Sequence, residues 1–158
     1  MLTTTQLQAL KADITADPVL NAYPKNSDGA WAIAQAYNLE ASPVFIVWKT
    51  DVPTSECKKA MVWTEYIGRS VGERDAWVFM LSNGTINAAD PNIRQGILDI
   101  FSGPDGASSR VALLAIAKRN ATRVEKLLSS GTGSDASPAT MMFEGNLPYQ
   151  EVMNAWNS

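Results

Sequence analysis

The sequence predicts a mainly α fold: a helical bundle with a long C-terminal helix followed by an extended C-terminal arm. Three observations predict it. Capping signals recur at Thr3-x-x-Gln6 and Ser70-x-x-Glu73, and apolar residues step by three and four along most of the chain. After Gly131 the composition changes abruptly to small polar residues. On this reading residues 1–130 form a helical domain, and residues 131–158 form a flexible linker and C-terminal arm.

Thr3-x-x-Gln6 is a capping box, and Leu7, Leu10 and Ile14 follow it at helical spacing. Asp17-Pro18 ends that helix, because proline disfavours a helical residue before it. Ser27 or Asp28 caps a second helix carrying Trp31, Ala34 and Tyr37, with Asn38 as its stop. The run Pro43 to Trp48 stays open: its β-branched and aromatic residues favour a strand, but a short apolar run fits a buried helix as well. Pro53-Thr54-Ser55 opens a short helix toward Trp63.

Ser70-x-x-Glu73 begins a helix with Trp77, Val78 and Leu81 on one face, and Asn83-Gly84 ends it. Asp90-Pro91 reads as an N-cap followed by proline at the first helical position. Ile93, Ile97, Ile100 and Phe101 form its apolar stripe, and Gly103 to Gly106 turn the chain.

The longest helix is expected from Ser108 to Ser130. Val111, Leu114, Ala117, Ala121, Val124 and Leu128 make one stripe, and Leu113, Ile116 and Leu127 a neighbouring one. A helix so widely apolar is either central to the core or shared with a neighbour. Residues 131–138 read as a linker. Beyond it, Met141, Met142, Phe143, Leu147, Tyr149, Val152 and Trp156 form a separate apolar cluster.

At 158 residues the chain suits one domain with a modest core. Hydrophobic residues make up 46 % and charged residues only 18 %, with five tryptophans. That leaves much apolar surface to hide, and a well-filled core or a partner could each take it. The net charge of −3 makes the whole chain no nucleic-acid magnet. Cys57 is the only cysteine, so no internal disulfide can form. The opening residues lack the basic start and apolar run of a signal peptide, and no stretch reaches the roughly 20 apolar residues that span a bilayer. A soluble protein made in the cytosol, without membrane contact, is the expectation.

Chemistry is hard to find. There is no histidine, which removes the commonest general base and metal ligand. With a single cysteine, the usual zinc sites are excluded. No serine lies in Gly-x-Ser-x-Gly, and the Gly103 and Gly131 regions are not phosphate loops. Cys57, beside Lys58 and Lys59, reads as an apolar filler rather than a reactive thiol. We expect no enzyme, no catalytic residue, no cofactor and no metal.

Two features point to partners instead. The expected long helix carries Arg110, Lys118, Arg119, Arg123 and Lys126 against Glu125, or +4, leaving −7 on the rest of the chain. This is a solvated face, or a contact for an acidic neighbouring subunit or nucleic acid. Leu113, Ile116, Arg119 and Arg123 are its candidate subunit-contact residues. The tail's apolar side chains either pack back on their own domain or dock on another subunit. Met141, Met142, Phe143, Leu147, Tyr149 and Trp156 are the candidate partner-binding residues.

The opening Leu2 to Asp13, the stretch Asn26-Ser-Asp-Gly-Ala30, the block Val47-Trp-Lys-Thr50, and Gly131 to Thr140 with Phe143-Glu-Gly145 carry a resemblance across nearly the whole chain. They resemble small virion structural proteins of tailed bacteriophages, especially short-tailed ones, and in particular head-to-tail adaptor (connector) proteins. The resemblance implies a ring of the protein with itself, commonly a dodecamer, between the portal protein and a tail protein. It implies assembly in the host cytoplasm and residence in the virion, with DNA passing through the ring without sequence-specific binding. Another virion part, a tail-completion or capsid-decorating protein, is the near alternative. A small phage DNA-binding regulator is the alternative from a different class.

Overall fold

The computed structural model describes residues 1–158, which divide into two units: Met1–Ile46 with Asn120–Ser158, and Val47–Arg119. Ten α-helices dominate, and three two-stranded sheets accompany them.

In the first unit, α1 (Thr4–Ala16) starts at the expected box: the Gln6 N–H donates to Thr3 Oγ1, and the Thr3 N–H donates to Gln6 Oε1. The Asp17 carboxylate caps α2 (Pro18–Asn21). The cap of α3 (Ser27–Asn38) is Asn26, one residue before the expected Ser27 or Asp28, and its side chain accepts from the Gly29 N–H. Gly29 permits a close turn, since a Cβ there would stand 2.0 Å from the Pro24 carbonyl oxygen. Leu10 and Ile14 of α1 pack with Ile33, Ala34 and Tyr37 of α3. Trp31 of the same helix is exposed.

The open run resolves as strand β1 (Ile46–Trp48). The second unit follows. Antiparallel β2 (Val52–Pro53) precedes α4 (Thr54–Ala60), which ends well before Trp63; α5 (Trp63–Ile67) is a separate turn of helix. The second capping box opens α6 (Val71–Met80), and β3 (Thr85–Ile86) pairs back on β2, Val52 opposite Ile86. Asp90 caps α7 (Pro91–Ile100) with proline at its first position. A 3₁₀ turn at Pro104–Gly106 leads into α8 (Ala107–Ile116). Trp77 and Phe101 meet edge to face at 5.2 Å in this unit's core, which also holds Ile97, Leu113 and Cys57.

The expected long helix and extended arm are both incorrect. Helix α8 stops at Ile116. Then come β4 (Lys118–Asn120), the short α9 (Arg123–Leu127) and β5 (Ser129–Ser130). The physical reason lies in where the backbone groups go. The Lys49 N–H takes the Ala117 carbonyl, the Ala121 N–H donates to Phe45 O, and the Arg123 N–H donates to Leu39 O. Tertiary partners thus replace the i to i−4 bonds that a continuous helix would need. Thr122-x-x-Glu125 then restarts helix with a capping box of its own.

The chain after Gly131 is no arm. The Ile46 N–H donates to Gly133 O, and the Ala139 N–H donates to Ile46 O, so the polar stretch is tied near both ends. Gly133 sits at φ +65°, buried, with the Phe45 ring where a Cβ would go. β6 (Thr140–Met141) pairs antiparallel with β5, and β1 with β4 completes the three sheets. The last helix, α10 (Tyr149–Trp156), packs on α3 and α1. Its Val152 and Ala155 join Leu147 in the first unit's core. The fold is therefore mixed, with helices predominant.

Candidate interaction surfaces

In the first unit, Thr122 and Glu125 set the start of α9, so that Arg123 projects from its first position. The Arg123 guanidinium donates to Asp13 Oδ2 and to Asp17 Oδ2, both at 3.0 Å, and lies 4.7 Å over the Tyr37 ring. The Tyr37 hydroxyl donates to the same Asp13 oxygen at 2.5 Å. Burial raises the Tyr37 pKa above its ordinary value, and the Asp13 hydrogen bond adds to this. The Asp17 carboxyl is held below its ordinary value by the Leu20 N–H and by Arg123. Two buried carboxylates also hold backbone: Glu125 accepts from Thr122 and Gly145 N–H, and Glu151 accepts from Leu2 N–H.

A cleft of about 470 Å³ opens beside Arg123, lined also by Asp13, Leu39, Glu40, Ser42 and Lys126. Its charges are already engaged. Asp13 holds Arg123, Glu40 accepts from Asn120, and Lys126 stands 5.8 Å from the Phe45 ring. Such a set of internal pairs suits holding α1, α3 and α9 together better than turning over a substrate. No three His, Cys, Asp or Glu side chains gather as a metal-binding group. Cys57 is buried, and burial pushes its thiol up to about 11, which suits a filler.

The predicted site residues scatter. Leu147 is core, Phe143 and Trp156 pack partly buried against that core, and Met141 lies half-buried in β6. The Leu147 N–H and carbonyl are clamped by the Asn38 side chain, at 2.7 and 3.1 Å. Only Met142 and Tyr149 of the tail set stand exposed. Leu113 is core in the second unit, with Ile116 packed beside it, and Arg123 is spent on its aspartates. Arg119 is half-buried in β4. Arg110 donates to the Phe101 and Gly103 carbonyls past the end of α7. The cations expected along one helix therefore belong to separate elements.

The larger apolar surface lies where sequence reasoning did not look. On α6, Trp77 turns inward, while Val71, Val78 and Phe79 are 64 %, 59 % and 81 % exposed. Trp63 and Ile67 of α5 and Val111 of α8 are exposed as well. The signal was present: besides the inward Trp77, α6 carries Val71, Val78, Phe79 and Met80, more apolar side chains than one buried stripe requires. No helix is long and apolar enough to cross a membrane. Comparison with protein-family models, curated proteins and solved structures finds no match.

Proposed function

We propose that this protein is a structural subunit of a tailed-phage particle, acting as a head-to-tail adaptor that joins portal and tail. The observation that carries the reading is the apolar surface: Trp31, Trp63, Val71, Phe79, Val111 and Met142 all face solvent in the single chain. Side chains of this kind are enriched at the buried centres of interfaces and are costly to leave wet. The sequence resemblance supplies the kind of assembly. Each copy would contribute no chemistry, only contact surface, and many copies acting together would make individually weak contacts into a firm joint.

The test is co-sedimentation of the purified protein with tailless heads that carry the portal. Saturable binding at a fixed number of copies per portal is the expected result. Binding to heads lacking the portal, or none to either, would sink the adaptor assignment. Detection of the protein in mature particles at fewer than one copy each would remove the structural reading altogether.

A further inference from the structure

We infer that Asn83 is a site of spontaneous covalent modification in the folded protein, its side chain cyclising onto the Gly84 nitrogen and then hydrolysing to aspartate or isoaspartate. This goes beyond the assembly-subunit reading and does not rest on it. The Gly84 backbone nitrogen attacks the Asn83 Cγ, a bond from that nitrogen to Cγ forms, and the bond from Cγ to Nδ2 breaks. Ammonia leaves, carrying off the proton of the Gly84 N–H. Water then opens the succinimide ring at one of its two carbonyls. Cleavage at Cγ gives aspartate. Cleavage at the backbone carbonyl carbon gives isoaspartate, whose chain runs through the side chain and is one methylene longer. Each event consumes one water and releases one ammonia, so no oxidant, cofactor or partner is needed.

The turn between α6 and β3 meets each requirement of that attack. The nitrogen must be unhindered, and no atom lies within 4 Å of where a Cβ on Gly84 would stand. The chain must be free to bend toward its own side chain. Asn83 and Gly84 are both exposed, and neither the Asn83 backbone nor the Gly84 N–H takes part in a backbone hydrogen bond. Gly84 sits at φ +79°, a conformation that glycine adopts without strain.

Elsewhere the fold withholds these conditions. Asn26 precedes the small Ser27, but its Oδ1 accepts from the Gly29 N–H at 3.0 Å to cap α3. Asp28-Gly29 could cyclise by the same route with loss of water, yet that bond occupies the attacking N–H and Gly29 is buried in the helix. Asp105-Gly106 lies in the 3₁₀ turn, where Gly106 is buried and a Cβ on it would stand 2.4 Å from the Phe101 carbonyl oxygen. Asn146 precedes Leu147, whose N–H is already donated to Asn38 Oδ1 at 2.7 Å. The reaction is therefore selective for Asn83 while the chain is folded.

The two products differ in what they disturb. The Gly84 carbonyl accepts from the N–H of Thr54, the first residue of α4, at 3.0 Å, one step beyond the Pro53–Thr85 pair. An added methylene displaces that carbonyl, and the neighbouring Val52 and Ile86 are core. Isoaspartate should loosen the second unit. Aspartate keeps the backbone and adds one negative charge to a chain of net charge −3.

Incubation of the full-length protein in warm, mildly alkaline buffer tests this, with and without guanidinium chloride. Peptide mapping by mass spectrometry should find conversion at Asn83 first in the native protein, with ammonia released in step. A more acidic fraction should grow on ion exchange, and an enzyme that methylates isoaspartate should label part of it. Asn83→Gln, which could close only the slower glutarimide ring, should stay uniform and keep the wild-type unfolding midpoint. In denaturant, Asn26 and Asp28 should join the reaction, because their protecting hydrogen bonds are gone. The isoaspartate fraction should melt below wild type, whereas Asn83→Asp should melt with it. An Asn83 that stays intact in the native protein, or native conversion at Asn26 or Asp28 as fast as at Asn83, would overturn the inference. An isoaspartate fraction with the wild-type midpoint would overturn its structural consequence.

Discussion

Arg123, a candidate subunit-contact residue from the sequence, is engaged within its own unit. It answers two carboxylates and covers the Tyr37 ring. Arg123→Met would leave Asp13 and Asp17 facing each other without their cation. We expect a loss of about 1–3 kcal/mol, read as a lowered urea midpoint at unchanged slope. Gly133→Ala is a second residue-level test. Its positive φ and the Phe45 ring leave no room for a methyl group, so at least about 1 kcal/mol should be lost.

Glu65 gives a pH dependence. Its carboxylate accepts from the Ser109 and Ser108 N–H groups at the start of α8, which has no capping side chain of its own. The Ser109 contacts lead in holding its pKa down, at about 2 against 4.5 for the free group. A depressed acid stabilises the fold fully above its unfolded pKa. Its contribution should therefore be complete above pH 4.5 and fade as pH falls toward 2. Glu65→Gln should flatten the stability profile in that window, measured by thermal melts at successive pH values. An unchanged slope would mean that other carboxylates govern acid unfolding.

At the scale of elements, α9 is the instructive case. Five residues cannot sustain a helix by propensity. Its capping box and buried Val124 hold it, and Glu125 binds Gly145 as well as Thr122. Glu125→Ala would leave two partly buried N–H donors unpaired, at a cost of about 2–3 kcal/mol, whereas Thr122→Ala should lose about 1 kcal/mol. Equal effects from the two changes would argue that only the cap matters. The Asn38 clamp on Leu147 likewise joins the end of α3 to the approach of α10. The two elements are more than a hundred residues apart in the chain.

At the scale of the molecule, residues 139–158 belong to the first unit's core. Leu147 and Val152 are buried there, each worth about 1.5–3 kcal/mol, and together they approach a domain's whole stability. Deleting 139–158 should therefore abolish cooperative unfolding of that unit, seen in calorimetry as loss of a transition. A soluble, cooperatively folded truncation would show that α10 is dispensable after all.

The sequence by itself determined what is local. The boxes at Thr3 and Ser70, the Asp90-Pro91 start and the buried faces around Leu10, Ile14, Ile97 and Phe101 depend on neighbours within a turn or two, and they form as their spacing predicts. Even the break in the expected long helix was written locally, as Thr122-x-x-Glu125, but the apolar period over Ser108 to Ser130 outweighed it. Only the tertiary structure decided that period's fate. Ala117, Ala121 and Arg123 exchange helical hydrogen bonds for partners at Lys49, Phe45 and Leu39, and no spacing rule reveals a partner some seventy or eighty residues away. It also decided which of two apolar sides of α6 is core. Trp77 turns in and Phe79 out because Phe101 meets Trp77 edge to face, a contact set by packing in three dimensions rather than by the order of residues.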